Sequence, residues 1–153
     1  MLICEMAAFY KYQNKTLIDV LKELYEEYGY YFDKVDNLLF EGSDGMNRMA
    51  LIMDDLREKD LSEICGYKIT AKNDYLTSEK NCKGIITHIN LPSANVISFE
   101  FEDGSIITVR PSGTEPKLKV YYSLKSENQE DALKKYNLFK KDIEILMPIS
   151  CKN

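Results

Sequence analysis

The span NVISFEFEDGSIITVR, Asn95 to Arg110, constrains the fold of this 153-residue chain more than any other stretch. Apolar and polar side chains alternate from Asn95 to Glu102, Asp103-Gly104 is a strong hairpin turn, and Ser105 to Arg110 returns as the partner strand. A period of two sends alternate side chains to opposite faces, so a hairpin like this belongs in a sheet with one buried face. LKVYYSL, Leu118 to Leu124, adds another strand. Glu127 to Met147 predicts a long amphipathic helix through Ala132, Leu133, Tyr136, Phe139, Ile143 and Leu146.

Upstream, Leu2, Ile3, Met6, Phe9 and Tyr10 repeat at helical spacing, and Thr16 with Asp19 forms a helix-start box before Leu17, Val20, Leu21, Leu24 and Tyr28. Two helices are expected over residues 2–13 and 17–28, ended by Gly29, with a linker at 30–34 and a strand near 35–41. Ser43 is positioned to cap a helix running to Glu58, with Met46, Met49, Ala50, Ile52, Met53 and Leu56 as its buried side. CGYKITAKNDYL and KGIITHINL read as strands or extended arms. From residue 35 onward the order is strand, helix, several antiparallel strands, helix. That order predicts an α+β domain: an antiparallel sheet of about four strands with two helices on one face, spanning residues 35–150.

Composition narrows the function. Apolar residues make up 44% and charged residues 29%, as in a globular domain, while a net charge of −5 opposes a nucleic-acid-binding surface. Cys4, Cys65, Cys82 and Cys151 form no CxxC pair and have no histidine beside them, so they read as reduced packing residues. The opening MLICEMAAFYK has no basic leader and holds Glu5 inside a short apolar run; neither a signal peptide nor a membrane span is expected, and the setting is cytoplasmic. No capping residue precedes that first helix, as if the chain begins inside an element of a longer protein. His88 reads as a half-exposed strand residue, and Glu26-Glu27 and Lys140-Lys141 as solvated helix faces.

The turn after the hairpin, VRPSGTEPKLKV, is unusually rich in donors. A phosphate monoester is a dianion with three outward oxygens and needs donors converging from several directions. Arg110 offers a two-pronged donor, Ser112 and Thr114 offer hydroxyls, and Gly113 lets backbone N–H approach closely. Pro111 and Pro116 restrict the loop before a ligand arrives, while Lys117 and Lys119 add positive charge on one face of the next strand. Glu115 repels an anion, so it is expected to turn away, bonding backbone or balancing a lysine. No Ser-His or Cys-His pair and no metal cluster is recognisable, so the site binds without reacting.

RPSGTEPK resembles the phosphate-binding loop of the α-D-phosphohexomutase superfamily, which moves a phosphoryl group between the 1- and 6-positions of hexose phosphates. FEDGSIITVRPSGTEPKLKVYY is similar to the last of that family's four domains, and LICEMAAFYK with KTLIDVLKELYEEYGYY to the end of its third, closest to the phosphoglucomutase branch. The resemblance implies a TATA-box-binding-protein-like domain four preceded by a helical tail of domain three over residues 1–29. It implies that Arg110, Ser112, Gly113 and Thr114 hold the phosphate that is not reacting, with Lys119 as the basic residue after the loop and Lys117 and Glu115 in support. The family's Thr-x-Ser-His-Asn, Asp-x-Asp-x-Asp and Gly-Glu-x-Ser-Gly motifs are absent; EGSDGMNR, residues 41–48, has too few carboxylates and reads as a helix start. No catalytic residue, metal site or cofactor is therefore expected in this chain, and Mg²⁺ is expected in the full-length enzyme. The expected partners are glucose 1-phosphate, glucose 6-phosphate or mannose analogues, together with upstream domains of the same enzyme, and neither nucleic acid nor membrane. Alone the chain is expected to be an inactive carboxy-terminal fragment. The alternatives are a stand-alone phospholigand-binding module and a structural helix-on-sheet module.

Overall fold

A computed structural model describes residues 1–40, 42 and 44–147. Helices α1 (Leu2–Tyr12) and α2 (Leu17–Tyr28) come first. The Thr16–Asp19 box forms as its chemistry demands: Asp19 N–H donates to Thr16 Oγ1 at 3.2 Å and Thr16 N–H to Asp19 Oδ2 at 2.9 Å. Neither helix buries a residue, so the apolar side chains of Leu2, Phe9, Ile18 and Leu24 remain in solvent.

Strand β1 (Tyr30–Leu39) follows Gly29 directly, whose φ of +92° turns the chain out of α2. No linker occupies residues 30–34. They are strand because β8 (Lys117–Ser126) is ten residues long and supplies a partner to every position of β1, from Tyr30 opposite Ser126 to Leu39 opposite Lys117. Between these two strands in sequence lie α3 (Gly45–Glu58), β2 (Glu63–Ile64), β3 (Tyr67–Asp74), β4 (Glu79–Cys82), β5 (Ile85–His88), β6 (Ile97–Phe101) and β7 (Ile106–Pro111), and α4 (Gln129–Leu146) comes last. The expected Ser43 cap and Cys151 lie outside the described residues; α3 has Asp44 at its N-cap, without a side-chain cap bond.

The sheet has eight strands rather than about four, in the order β1-β8-β7-β6-β3-β4-β5, with β2 beside β3 and every pair antiparallel. The added strands come from two tight hairpins that sequence patterning did not announce. Cys65-Gly66 joins β2 to β3 and Lys83-Gly84 joins β4 to β5, each a two-residue turn with positive φ at both positions. Such turns usually carry Asn or Asp first, so Cys and Lys there conceal them. The Asp103-Gly104 hairpin forms with Gly104 at φ +84° and Ser105 N–H donating to Asp103 Oδ1 at 2.9 Å.

Both α3 and α4 cover the same face. Leu118, Val120, Tyr122 and Leu124 alternate inward along β8 and are buried in one cluster with Met53 and Leu56 of α3 and Phe139 and Ile143 of α4. Phe139 meets Phe101 edge-on at 4.9 Å and Tyr67 at 5.0 Å, and burying a side chain of this size contributes roughly 1.5–3 kcal/mol. Leu133, expected inside, is 41% exposed because it lies one step off the stripe set by Ala132, Tyr136, Phe139 and Ile143. Buried Lys135 sits on that stripe, donating to Ser105 Oγ at 2.6 Å and Lys125 O at 2.8 Å and pairing with Asp103, so α4 grips the hairpin turn. The other β8 side chains, Lys119, Tyr121, Ser123 and Lys125, point to the face without helices. Among the described residues no helix is long and apolar enough to cross a membrane.

Candidate functional site

The donor-rich loop is the connection between β7 and β8 at one end of the sheet. Buried Val109 and Leu118 root its two arms, and the register places Arg110 opposite Lys119 and Pro111 opposite Leu118. Inward-facing neighbours on both strands leave Arg110 and Lys119 together on the helix-free face. Ser112 N–H donates to Lys117 O at 2.8 Å and Lys117 N–H to Glu115 O at 2.7 Å, closing the loop internally. From outside, Phe40 N–H donates to Pro116 O at 2.8 Å. Gly45, the first residue of α3, packs so closely that an added Cβ would stand 2.4 Å from Phe40 O and 2.9 Å from Pro116 Cβ. The loop is thus held from two sides before any ligand arrives, which lowers the ordering cost of binding.

Its charges divide in two. Glu115 forms an ion pair with Lys117, whose bond holds the Glu115 carboxyl below the usual carboxylate range, and Lys119 adds a weaker pull. Lys117 is thereby neutralised within the loop. Among the described residues Arg110 and Lys119 enter no ion pair, and the hydroxyls of Ser112 and Thr114 bond no protein group. Gly113 has an ordinary backbone conformation, and a Cβ there would meet nothing within 4 Å. The fold therefore does not require glycine at this position, whereas close approach of a ligand to its backbone would.

A cleft of about 550 Å³ opens beside the loop, bounded by Arg110, Ser112 and Gly113 on one side and by Met46, Met49 and Ala50 of α3 on the other. The short segment Ala94–Val96 closes it. Met49 and Met53 are core residues, but Met46 is 47% exposed and Ala50 is exposed, so the expected buried stripe of α3 is only partly buried.

Other chemistry-bearing residues do not converge on the loop. His88 is exposed on the edge strand β5, and Cys4, Cys65 and Cys82 are free thiols, Cys4 exposed rather than packed. Burial, then the nearby Asp142 carboxylate, pushes the Cys65 thiol up to about 11, so it stays protonated at neutral pH. Among the described residues no three His, Cys, Asp or Glu side chains come together as metal ligands.

An antiparallel sheet with two helices on one face, carrying a loop braced at the β7–β8 end, defines an α+β helix-on-sheet type of domain. The family model described as phosphoglucomutase/phosphomannomutase, C-terminal domain, matches residues 57–137, which include the loop. The chain belongs to that family. It is 44% identical over 131 residues to a phosphoglucomutase of Staphylococcus haemolyticus, a match covering 84% of this chain and 24% of that protein. A Staphylococcus aureus phosphoglucomutase is 41% identical over 138 residues, covering 89% of this chain and 25% of its own length. The chain thus spans about a quarter of these curated relatives. Among solved structures, the open form of parafusin, a phosphoglucomutase from Paramecium, aligns at a TM-score of 0.49 and 18% identity over 92% of this chain and 24% of that one.

Proposed function

We propose that this chain is the phosphate-anchoring domain of a phosphoglucomutase-type enzyme, holding the phosphate of a hexose phosphate that is not reacting. The observation that carries the reading is the pairing of Arg110 and Lys119 across the hairpin, two cations with no ion-pair partner among the described residues, on a loop braced by Ser112 N–H and Phe40 N–H. The Arg110 guanidinium suits two phosphate oxygens at once, Lys119 neutralises the second charge, and the Ser112 and Thr114 hydroxyls donate to the third oxygen. The Gly113 backbone supplies a close-range N–H, and the Glu115–Lys117 pair keeps the carboxylate turned away from the dianion.

Such a site reads charge and tetrahedral geometry rather than the sugar. Because either phosphate of a hexose bisphosphate would satisfy it, the same loop would serve both orientations of an intermediate that turns round between two half-reactions. Its contribution to rate is positional: a tethered phosphate fixes the far end of the sugar relative to the reacting centre. In this reading the chain alone carries out no isomerisation, because the family's Thr-x-Ser-His-Asn, Asp-x-Asp-x-Asp and Gly-Glu-x-Ser-Gly motifs are absent from its sequence.

Calorimetric titration with glucose 6-phosphate, comparing the chain with its Arg110→Glu variant, tests this reading. Weak binding by the parent and its loss in the variant are expected. Equal affinities for the two proteins contradict the assignment.

A further inference from the structure

The cleft beside the loop is not built for a sugar. Among the described residues around it, only Asn95, Arg110 and Ser112 bring polar side-chain atoms, and the Asn95 carbonyl oxygen already accepts from the Arg57 guanidinium. A hexose pushed into it would surrender the water on several hydroxyls and find almost no replacement partners, each unmatched group being costly. The opposite wall is carbon and sulfur: Met46 and Ala50 from α3, with Ala94 and Val96 facing them. That wall is also fixed. Arg57 ties Asn95 to Asp74 through a 3.1 Å bond, and Met49 and Met53 root α3 in the core. A preformed cleft of about 550 Å³ with the single cation Arg110 at one rim and an unbranched thioether surface on the opposite wall matches a ligand that is charged at one end and apolar at the other.

Resting on the phosphate reading above, we infer that Met46, Ala50, Ala94 and Val96 form an apolar subsite next to the Arg110–Gly113 loop, which takes the aromatic or branched aliphatic group of a phosphate monoester. The phosphate sits on Arg110 and Ser112 and the apolar group lies against Met46 and Ala50. Hexose phosphates, by contrast, use the loop with the sugar directed outward past Gly113 and Thr114. The domain therefore prefers aryl or alkyl phosphates over both inorganic phosphate and glucose 6-phosphate.

The test is a titration of the whole chain with phenyl phosphate, inorganic phosphate and glucose 6-phosphate, followed by amide resonances of the loop and methyl resonances of the methionines. Phenyl phosphate is expected to bind about tenfold more tightly than inorganic phosphate, from partial burial of one ring, and to move the Met46 methyl. Met46→Gln and Ala50→Gln, both at exposed positions, are each expected to bring the phenyl phosphate to phosphate affinity ratio toward one. Three results overturn the inference while leaving the phosphate loop standing: equal affinities with a silent Met46 methyl, an unchanged ratio in both variants, or the same methionine shifts with glucose 6-phosphate. Loop amides that ignore all three ligands overturn the phosphate reading itself.

Discussion

Arg110 and Lys119 stand opposite each other across the last rungs of the β7–β8 hairpin, on one face, and among the described residues neither enters an ion pair. Directly opposed side chains in an antiparallel pair lie about 5 Å apart at Cβ, and like charges there are destabilising. The fold gains nothing from this arrangement, whereas a bound dianion converts the repulsion into two attractions.

Removing one cation should therefore move stability and binding in opposite directions. Lys119→Gln is expected to leave the melting temperature unchanged or slightly raised while weakening phosphate binding about three- to tenfold. Arg110→Ala, which deletes a two-pronged donor, should weaken it by about ten- to a hundredfold, the loss expected for charge-assisted bonds of roughly 1.5–3 kcal/mol. Thermal melts and phosphate titrations on the same samples check both signs.

Two loop-side glycines should respond differently to alanine. At Gly113 an added methyl meets open space, so Gly113→Ala should keep stability within about 0.5 kcal/mol and lower ligand affinity by crowding the backbone. At Gly45 the same methyl would collide with Phe40 O and Pro116 Cβ, and Gly45→Ala should cost about 1–3 kcal/mol. Denaturant unfolding of the two variants distinguishes a glycine kept for the fold from one that the fold does not need.

The Lys135–Asp103 bridge predicts acid sensitivity. Burial pushes the Asp103 carboxyl up, but the Lys135 ammonium and the Ser105 N–H together outweigh it and hold the carboxyl below its ordinary value. A folded-state pKa below the unfolded one gives stability that is present above the usual carboxylate range, about pH 4, and is lost as pH falls through the folded value. Lys135→Met, which removes a buried charge from a bonded partner set, should destabilise the chain by about 3 kcal/mol or more near pH 7 and flatten the decline below pH 4. Urea unfolding across pH 3–7 measures both.

At the alkaline end two tyrosines act together. Burial pushes the Tyr122 hydroxyl far above its normal value, with the Asp36 carboxylate adding to it; Tyr136 is raised by burial and by donating to Asp36 at 2.7 and 2.8 Å. Raised folded-state values mean that the stabilisation is complete below about pH 10 and is lost as pH rises beyond it, because the unfolded chain ionises first. Tyr136→Phe should shift the alkaline unfolding midpoint upward, read by tyrosinate absorbance.

Much of this fold was legible in local chemistry. The Thr16–Asp19 box, the Asp103-Gly104 turn and the spacing of Ala132, Tyr136, Phe139 and Ile143 each act within a few residues, and the structure has them where periodicity and capping place them. The sheet's full width was hidden because its extra hairpins turn on Cys65-Gly66 and Lys83-Gly84, and because residues 30–34 become strand only through pairing with distant β8. Likewise, the donor types of the loop stand in the sequence, but the bracing by Phe40 and Gly45 and the exposure of Met46 do not. Those depend on how Phe40 and the start of α3 pack against Pro116, a long-range outcome without a local signal.

Phosphate anchoring by the Arg110–Lys119 loop is tested by an amide NMR map of the chain titrated with glucose 6-phosphate. The resonances between Arg110 and Lys119 are expected to move first and to saturate together. Largest shifts elsewhere, such as in the second cleft bordered by Lys68, Lys72 and Lys83, with a silent loop, would contradict it.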